Sequence, residues 1–166
     1  VAWLRRNDAR DTQPAPVDPK PVTDAGDSPE ALRRTLSQAV TFINRSAGQL
    51  PGKAVVDARR LTDTLGEIID TSDVRPLDIY AVISVRATLQ DYLPTTLRGY
   101  LAVAEELRQT VRASGRTPAQ SLLEQIGSLQ TSASQVLVAA RNQDVDALMT
   151  QGSFLKTKFS GSDLDL

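Results

Sequence analysis

The chain has 166 residues, 40% of them apolar, enough for one domain with a buried core and a tail. Its 19 basic and 20 acidic side chains nearly cancel, which removes the global positive field of a nucleic-acid-binding protein. Cysteine and histidine are both absent, so disulfides, thiolate chemistry, histidine-based metal sites and Ser-His or Cys-His catalytic pairs are excluded.

The opening Val1-Ala2-Trp3-Leu4-Arg5-Arg6 reads in two ways. The simpler is a valine start codon written literally. The other is the end of a membrane anchor, because Trp3, Arg5 and Arg6 are the residue types found where a span emerges on the cytoplasmic side. No run in the sequence reaches the roughly 18 apolar residues of a span. The expected location is cytoplasmic, with attachment to the cytoplasmic face of a membrane as the alternative. Residues 1–27 carry Pro14, Pro16, Pro19 and Pro21 among polar side chains, the composition of a disordered or polyproline-like spacer.

The helical domain is expected over residues 28–160. Ser28-Pro29-Glu30 is a helix start, with a capping hydroxyl, a proline whose missing N–H costs nothing there, and an acid for the dipole. The stripe Leu32, Leu36, Ala39, Val40, Ile43, Ala47, Leu50 predicts an amphipathic helix ending before Pro51-Gly52. Val55, Ala58, Leu61, Leu65, Ile68 and Ile69 predict a second helix over 53–71, packed antiparallel on the first because the connection is so short. Asp63, Glu67 and Asp70 lie along one side of it. They read as a solvated, salt-bridged face rather than a metal site, with Arg59 placed to pair with Asp63.

Pro76 is expected to open a third helix, and Leu77 to Val85 is apolar on almost every side, which predicts the central, most buried helix. Pro94 then sits between Tyr92 and Tyr100. Because proline disfavours helical geometry in the residue before it, the expectation is a chain reversal at Leu93, with Tyr92, Pro94, Leu97 and Tyr100 forming a structural corner and Glu105-Glu106 on the exposed side of the helix that follows. A kinked continuous helix is the alternative. Thr117-Pro118 opens a long helix whose Leu122, Ile126, Leu129 and Val136 make a heptad-like seam, a candidate surface for a partner. A last helix starts at the Asp144 cap and carries Val145, Leu148, Met149, Leu155 and Phe159, and residues 161–166 form a polar tail. With no strand pattern, the fold class is all-α, an antiparallel bundle of five or six helices.

The segments Tyr92-Leu93-Pro94-Thr95-Thr96-Leu97 to Tyr100-Leu101, Leu122-Leu123-Glu124-Gln125, and Gly152-Ser153-Phe154-Leu155-Lys156-Thr157-Lys158-Phe159 follow in this order. In that order they resemble the XpaC-like bacterial helical proteins, the 5-bromo-4-chloroindolyl phosphate hydrolysis family. The likeness covers about residues 80–159. It implies that Tyr92, Pro94, Leu97, Tyr100, Gly152, Phe154 and Phe159 belong to one packing framework, and that a membrane segment and a linker precede the domain in many relatives. It implies no catalytic residues.

No phosphate loop, nucleophile elbow or dinucleotide fingerprint is present, and no metal or cofactor is expected. The reading is a non-catalytic helical interaction or scaffold module, an accessory subunit with a protein partner or a second copy of itself, tethered or free. The alternative is a hydrolase or small-ligand-binding bundle of the XpaC-like type. It would use Asp63 or Glu67 and a pocket lined by Tyr80, Tyr92 and Tyr100 near Pro94.

Overall fold

A computed structural model describes residues 25–160. The expected N-terminal spacer, apart from its last residues, and the polar tail lie outside the described residues, as do Trp3, Arg5 and Arg6. Five helices are found there and no strand: α1 (Pro29–Ser46), α2 (Gly52–Asp70), α3 (79–101), α4 (Pro118–Asn142) and α5 (Val145–Ser160). None of them is long and apolar enough to cross a membrane.

The starts follow the capping chemistry read from the sequence. Ser28 Oγ accepts from the Ala31 N–H ahead of Pro29, and Thr117 and Gln120 form a reciprocal capping box ahead of Pro118. Pro51 is the residue before α2. Pro76 is not a helix start: α3 begins at Ile79, capped by Asp78 Oδ1 on the Tyr80 N–H. That carboxylate can satisfy an orphan donor, which Pro76 cannot do. Asp144 caps α5 through the Ala147 N–H.

The polar contacts fix the helix directions. Arg33 at the start of α1 meets Asp70 and Asp73 at the end of α2, and Asn44 meets Arg59, so the first pair is antiparallel. Gln130 bonds Thr64 and Arg141 pairs with Glu67, so α2 and α4 run parallel. α5 folds back on α4, with Gln151 on Ser132 and Lys158 on Ser128. Tyr80 lines a cavity with Met149, and Tyr92 stacks on Phe159 at 5.2 Å, so α5 runs parallel to α3. The chain is an up-and-down bundle in which each helix reverses the one before it.

Its centre is the α2–α4 pair, not α3. Ala54, Ala58, Leu61, Leu65 and Ile68 of α2 join Leu122, Ile126, Leu129, Ala133 and Val136 of α4 in one core cluster. The heptad-like seam is therefore the inside of this domain. Leu122, Ile126, Leu129 and Val136 are all buried by the chain's own helices, which corrects the expectation of an outward partner surface. α3 has one face at the surface instead: Ile79 is 51% exposed and Ile83 40%.

The expected corner at Pro94 is replaced by a continuous helix. Ile79–Ala87 passes into a π-turn, Thr88–Tyr92, and then into Leu93–Leu101 without a break. Leu93 keeps helical geometry (φ −66°, ψ −49°), and its N–H donates to Thr88 O, five residues back. The wider turn relieves the clash that a proline ring makes with the carbonyl four residues before it. It also slows the rotation of the apolar stripe, so Ala81, Val85, Leu89, Leu93 and Leu97, each four apart, all stay buried. The reversal comes after Leu101, and Glu105–Leu107 is a 3₁₀ turn rather than part of that helix.

Candidate functional site

The parallel packing of α3 against α5 leaves a cavity of about 370 Å³. Tyr80, Ile83, Ser84, Ala87 and Tyr92 line it from α3, and Met149, Gly152, Ser153, Leu155 and Lys156 from α5. Positions 80, 84 and 87 share one face of α3, as 149, 152 and 156 do on α5, so helical periodicity alone builds both walls. The volume falls in the range of small-molecule sites, with mostly apolar walls and a few polar groups.

At its floor lies Ser84, 4% exposed, whose Oγ has no hydrogen-bond partner. Buried hydroxyls are normally satisfied; the Thr96 hydroxyl is also without a partner but does not line this cavity, whereas Ser84 faces it. Opposite stands Gly152: a Cβ built there would meet only Ser84 Oγ, at 3.9 Å. Packing does not demand a glycine at this point of α5, and the missing side chain is space. Lys156 follows Gly152 by one helical turn, is exposed, and makes no ion pair among the described residues.

Two larger, shallower grooves, of about 670 and 570 Å³, run along α4 and α5 and are lined mainly by Ser, Thr and Gln side chains. Ser132, the most buried of these, already donates to Gln151 Oε1, so those grooves hold no comparable unmade bond of a buried hydroxyl.

An apolar strip is exposed beside the cavity and shares Ile83 and Met149 with its lining. Ile79 and Ile83 stand at i and i+4 on α3, Val145 and Met149 at i and i+4 on α5, and each is between 40% and 51% exposed.

The structure brings together only two of the three tyrosines expected around a pocket. Tyr80 and Tyr92 line the cavity. Tyr100 is in the core, with the Arg108 guanidinium over its ring at 5.1 Å. Pro94 and Leu97 are buried outside the cavity lining. Of the packing framework implied by the family resemblance, Tyr92 and Phe159 meet and Gly152 lies nearby, but Phe154 is 45% exposed with Lys158 over its ring, so it is not a core residue.

The acids of α2 stand away from this site on an exposed face. Glu67 pairs with Arg141, and Asp70 pairs with Arg33, which also holds Asp73. The hydrogen bonds that the Arg33 guanidinium donates to Asp73 and then Asp70 raise its pKa above the ordinary value. A raised pKa means that the group's contribution is complete below the ordinary arginine range and is lost only in strong alkali, so it confers no pH dependence near neutrality. Arg59 pairs with Asn44 rather than with Asp63. Ser84 and the exposure of Ile79, Ile83, Val145 and Met149 carried no sequence signal. Gly152 did, as an isolated glycine inside a helical pattern. No family model, curated protein or solved structure matches this chain.

Proposed function

We propose that the domain is a non-catalytic interaction module that receives an amphipathic helix of a partner protein along the face shared by α3 and α5. The observation that carries this reading is the strip Ile79, Ile83, Val145 and Met149, paired apolar positions on two adjacent parallel helices with polar residues such as Asp146 and Lys156 beside them. A groove between parallel helices with anchors at i and i+4 is what a helix-in-groove contact uses. The module would be held near the cytoplasmic face of a membrane through Trp3, Arg5 and Arg6, in line with the membrane segment and linker that the resemblance to XpaC-like proteins implies.

A photo-crosslinking residue at Ile79 in cells of the source organism tests it. One reproducible crosslinked protein is expected, lost in Val145→Glu while the purified variant keeps its helicity; a second copy of this chain as the captured species would identify self-association. Crosslinking indifferent to Val145→Glu would reject the reading.

A second reading, a small-ligand-binding bundle, is favoured by the cavity and its orphan hydroxyl. Hydrolysis gains no such support, since neither Asp63 nor Glu67 lines the cavity.

A further inference from the structure

We propose that the cavity between α3 and α5 binds a small hydroxyaryl carboxylate. The inference rests on the ligand-binding reading; because Ile83, Met149 and Lys156 belong to both faces, the two readings are told apart at Ile79 and Val145, which lie outside the cavity lining. Three features of the cavity specify the ligand.

The first is the body. Tyr80 and Tyr92 contribute aromatic walls, and Ile83, Leu155 and the adaptable thioether of Met149 complete an apolar lining. A flat ring suits such walls better than a polar or branched group does. The second is the buried end. Ser84 Oγ lies at the floor with an unmade hydrogen bond, and a hydroxyl can both donate and accept. A ligand hydroxyl reaching the floor completes it, whereas a charge there would lose its water for one neutral partner. The third is the open end. Lys156 supplies a cation four residues, about 6 Å of helix rise, along α5 from Gly152. A carboxylate held there stays hydrated. A hydroxyl at one end of a ring and a carboxylate at the other would put the neutral group at Ser84 and the charge toward Lys156, whose flexible side chain adjusts the reach.

Gly152 is the positioning element of the same site. Glycine weakens a helix, and the surroundings would accept a methyl group, so its effect on this face is the room opposite Ser84.

The test is a titration of the isotope-labelled full chain with 4-hydroxyphenylacetate, read from backbone amide shifts. Saturable shifts centred on Ser84 and Gly152 are expected. Phenylacetate, lacking the hydroxyl, and Ser84→Ala should each bind about 10-fold more weakly, equivalent to about 1.4 kcal/mol. The corresponding alcohol, 2-(4-hydroxyphenyl)ethanol, and Lys156→Met should show a similar loss. Gly152→Leu should abolish the shifts, and Gly152→Ala, for which there is space in the fold, should weaken them if the larger variant does not fold. Absence of saturable shifts, shifts scattered outside the cavity, or equal binding of phenylacetate and the hydroxylated acid would overturn the proposal. Ile79→Glu and Val145→Glu alter the docking strip without touching the cavity lining, so the ligand titration should be unchanged in both.

Discussion

Arg108 holds three carbonyls that the surrounding chain ends leave open. Its Nε donates to Val103 O at 3.0 Å, Nη1 to Gln49 O at 3.2 Å and Nη2 to Leu101 O at 3.3 Å, while the guanidinium lies over Tyr100. One side chain thereby ties the end of α3 to the turn between α1 and α2. Arg108→Ala should cost about 1–3 kcal/mol in urea denaturation, and Arg108→Lys should recover little, because an ammonium group lacks the planar fork that serves three acceptors. Nothing in the sequence marked Arg108 among its neighbours, since its partners are backbone atoms distant in the chain. Gly152 is the opposite case. Gly152→Ala should raise stability by about 0.5–1 kcal/mol in the same measurement, and a loss of stability would mean that packing, not vacancy, requires the glycine.

At the scale of the element, α3 carries the largest difference between expectation and structure. Each proline after residue 27 looked like a helix start, and Pro29 and Pro118 are first helical residues. Pro76 lies three residues ahead of α3. Pro94 falls inside it because the turn before Pro94 has five residues in place of four, and Leu93, Leu97 and Tyr100 bury enough surface to hold Leu93 in helical geometry against its local preference. A sequence pattern reports the local preference, and the tertiary gain is invisible to it. Deleting Gln90, an exposed residue of the π-turn, should restore an ordinary helical spacing and bring back the proline clash, at a cost of about 3 kcal/mol. Combining the deletion with Pro94→Ala should recover most of that stability in thermal melts. If the deletion alone is neutral, the extra residue does not accommodate the proline.

For the molecule as a whole, the all-α bundle of five or six helices was legible because helix periods and caps are local, whereas the exact count at Pro94 and which apolar face meets which are not. The stripe through Leu122, Ile126, Leu129 and Val136 has the same period whether it meets α2 of its own chain or a helix of another, so its destination could not be read from spacing. The structure places it against α2. Leu129→Ala should therefore destabilise the domain by about 2–5 kcal/mol, with a melting temperature independent of protein concentration; a concentration-dependent change would return the seam to an intermolecular role. The α2–α4 pairing also orders events during synthesis. Thr64 and its partner Gln130 are separated by 66 residues. At translation rates of roughly 5–20 residues per second, the apolar face of α2 waits about 3–13 s for its mate to be made. Until α3 is also made, α1 is the only finished cover of that face, so a newborn α1–α2 hairpin is the stage at which this chain should depend most on holdase chaperones, and at which slowed translation would be felt first.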